Sequence, residues 1–300
     1  MPEKVLLIVN PVSGRIALKQ KLWQVIDKLC AADMVPTVCF TQKRGDAEKM
    51  AAECPAEIDK VICAGGDGTL NEVISGLMQN PFEHILGYIP VGTTNDLANS
   101  LGISKGVLPA VDDIIAGNTT TIDIGSFGGR YFNYIASFGA FTEASYNAPQ
   151  EVKNTIGHAA YIFEGLKSLG NISPHKVKFI FDDKYIEGDF IFAAISNTTS
   201  LGGVLKLDDN KVALNDGLFE VLLIKEPKNL AQFQKIVSEL MSQKFTQDLV
   251  SLYHTSSVIV ETDEKLDWTL DGEHQTGDSK VIIQNISHAV KLIVPIKRKK

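Results

Sequence analysis

The sequence has 300 residues, 44% of them hydrophobic and 22% charged, and a formal net charge of −7. This length allows two domains with separate hydrophobic cores. The negative charge excludes a general attraction to nucleic acid or to anionic lipid, so any membrane contact would have to be local. No apolar stretch reaches the roughly 20 residues that span a bilayer, and the N-terminus leads into a predicted strand rather than a signal peptide. We therefore expect a cytoplasmic protein.

Strands and helices alternate in the first part of the chain. Lys4–Val9 is a continuous apolar run, typical of a strand buried on both faces, and Leu18–Leu29 carries apolar residues at the three- and four-residue steps of a helix. Further strands are predicted at 35–40, 58–64 and 85–89, and further helices at 45–54, 70–77, 97–101 and 107–116. This alternation predicts a mostly parallel sheet with helices on both faces.

The pattern changes near Thr121–Gly125, where two strands joined by a Gly-Gly hairpin turn are predicted. Short apolar runs then recur, separated by turn residues, which is typical of an antiparallel β-sandwich or barrel. The predicted strands are 176–181, 188–195, 212–214, 219–224, 257–261, 266–270, 280–286 and 290–294, with helices at 159–169 and 230–244. We predict an α/β domain over 1–124 and a β-sandwich domain over 125–300, whose last strand or tail could return to the first domain.

Three polar loops that contain glycine follow predicted strands of the first domain. They are Asn10–Gly14, Gly65–Glu72 and Pro90–Asp96. Ligands of parallel sheets bind outside the carboxyl ends of the strands. All three loops leave that edge, so we expect them to converge on one binding site.

The loop Gly65–Glu72 reads Gly-Gly-Asp-Gly-Thr-Leu-Asn-Glu and lies between a predicted strand and a predicted helix. Glycines let backbone N–H groups approach an anion, and a helix N-terminus favours phosphate. Asp67 would repel a phosphate unless a metal ion or a proton lay between them. The pattern therefore favours a nucleotide bound with Mg²⁺, although a tight turn stabilised by Asp67 and Thr69 would account for the tetrad Gly65–Gly68 equally well.

These three motifs, in this order, resemble those of the diacylglycerol kinase catalytic-domain family, and the soluble bacterial lipid kinases within it most of all. Leu214–Phe219 and Leu270–Glu273 match two further motifs, so the resemblance covers essentially the whole chain. The resemblance implies an ATP- and Mg²⁺-dependent lipid kinase with ATP bound between the two domains. By themselves, Asn215–Gly217 and Asp271–Glu273 would be ordinary turns.

The resemblance also implies roles for individual residues. The nucleotide would be lined by Asn10, Pro11, Val12, Ser13, Gly14 and Thr41, and its phosphates and ribose held by Gly66, Gly68, Thr69, Leu70, Asn71 and Glu72. Thr93 would close over them, and Asp67 and Asp96 would act through Mg²⁺. Asp216 and the backbone near Leu218 match a Mg²⁺ site, and Glu273 matches a general base with Asp271 beside it.

The expected acceptor is diacylglycerol or a related lipid, reached by peripheral contact with the inner face of the membrane. Five aromatic residues in the second domain could line a path for this lipid, namely Phe127, Tyr131, Phe138, Phe141 and Tyr161. Aromatic residues at strand spacing are more often core residues, however. The basic tail Lys297–Lys300 is interpreted as a solvated end. A kinase of a soluble acceptor such as NAD, a nucleotide-binding regulator without catalysis, and a homodimer all stay open.

Overall fold

The computed structural model describes residues 2–13, 17–93, 95–139, 173–198, 200–201, 205–206 and 214–296. The chain forms two compact units, one of Met1–Ile124 with His288–Lys300 and one of Gly125–Ser287. The helix predicted at 159–169, nearly all of the strand predicted at 212–214 and the basic tail lie outside the described residues. So do Gly14, Phe141 and Tyr161.

The first unit alternates strands and helices. Its elements are β1 (Glu3–Val9), α1 (Ala17–Ala31), β2 (Met34–Phe40), α2 (Asp46–Ala52), β3 (Lys60–Gly65), α3 (Asp67–Gln79), β4 (Ile85–Pro90), α4 (Asp96–Leu101) and α5 (Val107–Ala116). These strands form a parallel sheet in the order β4-β3-β1-β2. This parallel sheet with its helices confirms the predicted α/β fold.

Apolar side chains of β1 and of two helices form the core of this unit. Val5, Leu7 and Val9 of β1 pack in one buried cluster with residues of α1 and α5, namely Leu18, Val25, Leu29, Val107, Val111 and Ile114. The helical residues recur at the spacing of one helix face, so burying that face against the sheet removes a continuous apolar stripe from water. The core therefore holds the strand ends, from which the site loops leave, in fixed positions.

The second unit consists mainly of strands. From Thr119 the chain forms β5 (Thr119–Phe127), β6 (Arg130–Phe132), β7 (Ile135–Gly139), β8 (His175–Ile180), β9 (Tyr185–Ser196), β10 (Ser200–Leu201), β11 (Leu205–Lys206), β12 (Phe219–Lys225), α6 (Leu230–Ser242), β13 (Val250–Thr255), β14 (Ser257–Thr262), β15 (Asp267–Leu270), β16 (Glu273–Thr276) and β17 (Lys280–Ile293). The chain passes between the units within β5 and within β17.

Antiparallel pairing builds this second unit. The long strand β9 pairs with β8 through its first half and with β7 and β12 through its second half. Trp268 lies in the core, with ring centroids 5.0 Å from Phe127 and 4.9 Å from Phe138. Both phenylalanines are buried, so they are core residues. The antiparallel strands and their shared aromatic core confirm the predicted sandwich.

The last two predicted strands differ from those in the structure. The strands predicted at 280–286 and 290–294 form the single strand β17, whose Leu292 pairs in parallel with Leu86 of β4. His288, with φ of +52°, lies inside this strand, and its N–H donates to Asp123 Oδ1 at 2.7 Å. This buried carboxylate provides a partner for a backbone group at the irregular position, so the strand continues past it. The last part of β17 thereby adds a strand to the sheet of the first unit.

None of the helices among the described residues combines the length and the apolar character needed to cross a membrane.

Candidate functional site

The loops after β1, β3 and β4 lie side by side in the first unit. Asn10 N–H donates to Ala64 O at 3.0 Å, and Val91 N–H donates to Gly65 O at 3.0 Å. The Asn10 side chain reaches α3, where its Nδ2 donates to Thr69 Oγ1 at 2.8 Å. The structure thus brings together the three loops that the sequence places at strand ends.

Gly66 and Gly92 bring the backbones of two of these loops close together. A Cβ added to Gly92 would lie 2.6 Å from Gly66 Cα, and one added to Gly66 would lie 3.2 Å from Gly92 Cα. Real Cβ atoms essentially never come within 3.0 Å of a heavy atom outside their own and neighbouring residues, so a side chain on Gly92 would push the loops apart. The Cβ added to Gly66 would also lie 3.9 Å from Ser13 Oγ of the first loop. The glycines therefore allow two backbones to meet at the N-terminus of α3.

The first loop is folded around its asparagine. Asn10 Oδ1 accepts the N–H groups of Val12 at 3.0 Å and Ser13 at 3.3 Å, which forms a turn closed by the side chain. Val12 is 62% exposed, although it is apolar. Pro11 and Ser13 are partly buried. The turn thus presents an apolar residue to solvent at the edge where the strands end.

Asp67 joins the loop after β3 to the loop after β4. Its Oδ2 accepts Asn95 N–H and its Oδ1 accepts Asp96 N–H, both at 2.8 Å. Burial raises the pKa of Asp67, although these backbone N–H groups act in the opposite direction. The carboxylate therefore has a structural task in this structure, which is to hold the start of α4 against the start of α3.

Asn95 and Tyr88 complete this arrangement, and the sequence analysis missed both. Asn95 has φ of +51°, its Oδ1 accepts Gly92 N–H at 3.0 Å, and its Nδ2 donates to Gly92 O at 2.8 Å. The buried Tyr88 hydroxyl lies 3.1 Å from the same Oδ1, and burial raises the pKa of Tyr88, so the hydroxyl stays a donor. A signal for Asn95 was available, since asparagine tolerates positive φ better than most residues.

Several other predicted nucleotide residues lie in different surroundings. Leu70 is 1% exposed and belongs to the core, and Thr41 is buried, with its N–H donating to Val9 O at 3.0 Å. Glu72 accepts Gly45 N–H at 2.9 Å and Ala47 N–H at 3.2 Å. Its carboxylate therefore satisfies donors at the N-terminus of α2.

The remaining predicted residues of the first unit lie around the open part of these loops. Gly68 faces open space, since a Cβ there would meet nothing within 4 Å. Thr93 is exposed, whereas Asn71 of α3 and Asp96 at the start of α4 are partly buried. An anion could reach the N-terminus of α3 from the side of Gly68.

In the second unit, Asp271 is held by the connection between β6 and β7. Its Oδ2 accepts Asn133 N–H at 2.6 Å, and its Oδ1 accepts the N–H groups of Tyr134 and Ile135, each at 3.0 Å. Its backbone has φ of +49°, and Gly272 follows with φ of +89°. Three backbone donors on one carboxylate hold this turn in a conformation that an ordinary residue avoids.

Glu273 follows that turn and pairs with Arg130, another residue that the sequence analysis missed. Arg130 Nη2 lies 2.6 Å from Glu273 Oε2, and Arg130 Nη1 donates to Gln275 Oε1 at 2.7 Å. The side chains of Arg130 and Glu273 are 36% and 38% exposed. The predicted base therefore lies at the surface of its unit, where it forms an ion pair with the guanidinium group of Arg130.

Asp216 and Leu218 lie in an exposed turn before β12, where Asp216 Oδ1 accepts Leu218 N–H at 3.0 Å. A carboxylate and backbone carbonyls are the hard oxygen donors that Mg²⁺ prefers, and Mg²⁺ needs only one or two carboxylates because it retains water. The donor chemistry thus fits. Within the described ranges, no group of three or more histidine, cysteine, aspartate or glutamate side chains could hold a metal ion.

Known proteins resemble this chain over most of its length. The family model of the diacylglycerol kinase catalytic domain matches residues 4–127, and that of the YegS C-terminal NAD kinase beta sandwich-like domain matches residues 136–294. The diacylglycerol kinase of Bacillus subtilis (strain 168) is 38% identical over 271 residues, which are 89% of this chain and 89% of that protein.

Two further proteins extend the similarity. The diacylglycerol kinase of Staphylococcus epidermidis (strain ATCC 12228 / FDA PCI 1200) is 32% identical over 297 residues, which are 98% of this chain and 93% of that protein. A crystal structure of a diacylglycerol kinase from Bacillus anthracis str. Sterne matches with a TM-score of 0.75 and 23% identity, over 97% of each chain. That structure shares the fold.

Proposed function

Because the chain belongs to the diacylglycerol kinase family, we propose that it is a lipid kinase that uses ATP and Mg²⁺ to phosphorylate a hydroxyl group of diacylglycerol or a related lipid alcohol. The proposal that the protein binds ATP rests on the close approach of Gly66 and Gly92 beside the N-terminus of α3. Backbone N–H groups and the dipole at a helix N-terminus attract phosphate, and the glycines leave the approach open.

In this proposal the first unit binds the nucleotide. Asn10–Gly14 and Thr41 lie along it, Gly66–Glu72 supply the backbone at its phosphates, and Thr93 covers them. Thr41, Leu70 and Glu72 act indirectly, since they are buried or already hydrogen-bonded to backbone groups. Asp67 and Asp96 face the metal side, while Asp67 also keeps the two loops together.

Glu273 is the proposed general base. It takes the proton of the lipid hydroxyl as that oxygen bonds to the γ-phosphorus, and the bond from phosphorus to the bridging oxygen breaks to release ADP. Mg²⁺, when bound, neutralises charge on the phosphate oxygens. Asp216 and the backbone of Leu218 are the proposed Mg²⁺ ligands in the second unit, and Asp271 supports Glu273 through the turn that it stabilises.

The acceptor is proposed to be a membrane lipid, which requires peripheral contact with the inner face of the membrane from the cytoplasm. A homodimer is compatible with this function and is not needed for it. A soluble acceptor such as NAD is the alternative within the same chemistry. A regulator that binds ATP without catalysis is the alternative outside it.

One assay separates these functions. The purified protein is incubated with γ-labelled ATP and Mg²⁺, together with vesicles containing diacylglycerol, other lipid alcohols, or NAD. We expect label in a lipid product and its loss when EDTA removes Mg²⁺. Labelled NADP with unlabelled lipid would overturn the lipid assignment, and ATP binding without any labelled acceptor would favour the regulator.

A further inference from the structure

The segment Arg130–Ile135 touches both acidic residues of the Asp271–Glu273 motif. Its later residues donate three backbone N–H groups to the Asp271 carboxylate, and its first residue binds Glu273 through a side chain. Asp271 N–H also donates to Ile135 O at 2.9 Å. This short segment therefore fixes both the backbone turn that precedes Glu273 and the direction of the Glu273 side chain.

The guanidinium group of Arg130 holds two side chains of β16 at once. Glu273 and Gln275 are two residues apart, so their side chains lie on the same face of the strand. Its Nη2 donates to Glu273 Oε2 at 2.6 Å, and its Nη1 donates to Gln275 Oε1 at 2.7 Å. A planar guanidinium presents its donors in a rigid fork, so anchoring one side of it on Gln275 orients the other toward Glu273.

Stability alone does not account for this arrangement. Both partners of the ion pair are more than one third exposed, and pairs of that kind contribute little to folding. A glutamate side chain of this exposure can adopt several rotamers, and the contact with Arg130 favours one of them. A general base must instead lie within hydrogen-bond distance of the proton that it removes, and small misplacements of catalytic groups are costly.

We propose that Arg130 is a positioning residue for the reaction, and that it fixes the Glu273 carboxylate in the orientation from which it accepts the proton of the acceptor hydroxyl. This proposal rests on the proposed function, because it assumes that Glu273 is the base. Gln275 anchors the guanidinium group, and Asp271 fixes the backbone from which Glu273 extends.

The test compares Arg130→Ala, Arg130→Lys and Glu273→Gln with the double variant Arg130→Ala/Glu273→Gln. Lys265→Ala is the matched control, since Lys265 pairs with Asp278 at 3.7 Å on the same hairpin and both side chains are exposed. We expect Arg130→Ala to lower kcat roughly 10- to 100-fold with little change in the KM for ATP or in Tm. Arg130→Lys should retain an intermediate kcat, because an ammonium group keeps the charge but not the fork.

Two further readouts separate positioning from other roles. Added guanidinium ion should restore part of the activity of Arg130→Ala, and that substitution should change kcat less than about twofold in the Glu273→Gln background. An equal loss in both backgrounds would show that Arg130 acts independently of Glu273, and parental kcat in Arg130→Ala would also overturn the proposal.

A crystal structure of Arg130→Ala tests the proposal without any activity. We expect the Glu273 side chain to leave its position or to adopt several rotamers, and an unmoved carboxylate would refute its positioning by Arg130. If the parent protein phosphorylated no lipid, or if Glu273→Gln were as active as the parent, the proposed function or its base would fail instead.

Discussion

A methyl group on Gly92 would lie 2.6 Å from the Cα atom of Gly66, so the loops after β3 and β4 can meet in this way because Gly92 lacks a side chain. The same methyl group would lie 2.8 Å from Asn95 Oδ1, which binds the Gly92 backbone. The backbones of these two loops are thus in contact at the edge of the sheet where the parallel strands end.

The first prediction compares Gly92→Ala with Gly68→Ala. Gly92→Ala should separate the loops, lower the free energy of unfolding by about 1–3 kcal/mol and weaken ATP binding. Gly68→Ala should fold at least as stably as the parent, because its Cβ meets nothing within 4 Å and alanine favours a helix. If ATP occupies the open space beside Gly68, the added methyl group should still lower the affinity of Gly68→Ala for ATP. Calorimetric titration and thermal denaturation measure the two effects, and unchanged ATP affinity in Gly68→Ala would contradict this placement of the phosphates.

The second prediction concerns Asp67. Asp67→Ala should abolish lipid phosphorylation and also loosen the loop after β4, because the N–H groups of Asn95 and Asp96 lose their acceptors. Each lost bond to a charged group costs about 1.5–3 kcal/mol, so the effect on stability should be measurable. Hydrogen exchange at these two amides is the measurement. Exchange at the parental rate would mean that the carboxylate does not hold the loop.

The third prediction concerns Asp271. Asp271→Asn should retain the backbone conformation, because asparagine tolerates the φ of +49°, but its single carbonyl oxygen cannot serve all three N–H donors. We expect the free energy of unfolding to fall by about 1–3 kcal/mol and kcat to fall with it. Urea denaturation measures the first quantity. Asp278→Asn, at an 83% exposed side chain, is the matched control and should leave stability unchanged.

The fourth prediction concerns Glu273. Glu273→Gln keeps an oxygen for Arg130 but cannot accept a proton, so it should lower kcat by about 10²- to 10⁴-fold and change the KM for ATP much less. Steady-state kinetics with a lipid acceptor measure both constants. A variant with the parental kcat would exclude Glu273 as the base.

The fifth prediction is a pH dependence of stability. Glu220 is 1% exposed, its Oε2 has no hydrogen-bond partner among the described residues, and burial raises its pKa from 4.5 to about 8. Between these values the folded protein retains a proton that the unfolded chain has lost, so stability should fall as pH rises, with a slope approaching about 1.4 kcal/mol per pH unit.

Glu220→Gln has no charge to bury and should lose that slope. Urea denaturation of parent and variant from pH 5 to pH 8 should therefore give curves that diverge as pH rises, with the variant the more stable at the upper end. Parallel curves would show that Glu220 ionises in the folded protein as it does in the unfolded chain.

The sequence predicted the order of most elements because their signals are local. Continuous apolar runs marked β1 and β3, and apolar residues at helical spacing marked α1. β16 escaped prediction, since Glu273–Thr276 contains only polar residues and pairs with β15 through backbone groups. The division of β17 into two strands was wrong because a buried carboxylate satisfies the backbone at His288.

The positions of glycine and acidic residues, and the placement of the loops after strands, could be predicted from the sequence because motifs and periodicity are properties of neighbouring residues. The hydrogen-bond partners of each carboxylate could be identified only in the folded chain. Asp67 accepts hydrogen bonds from backbone N–H groups 28 and 29 residues away, and Glu273 pairs with Arg130, which lies 143 residues away in the sequence. Such pairs form where strand pairing brings distant segments within hydrogen-bond distance, so the tasks of Asp67, Asp271 and Arg130 follow from the folded chain alone.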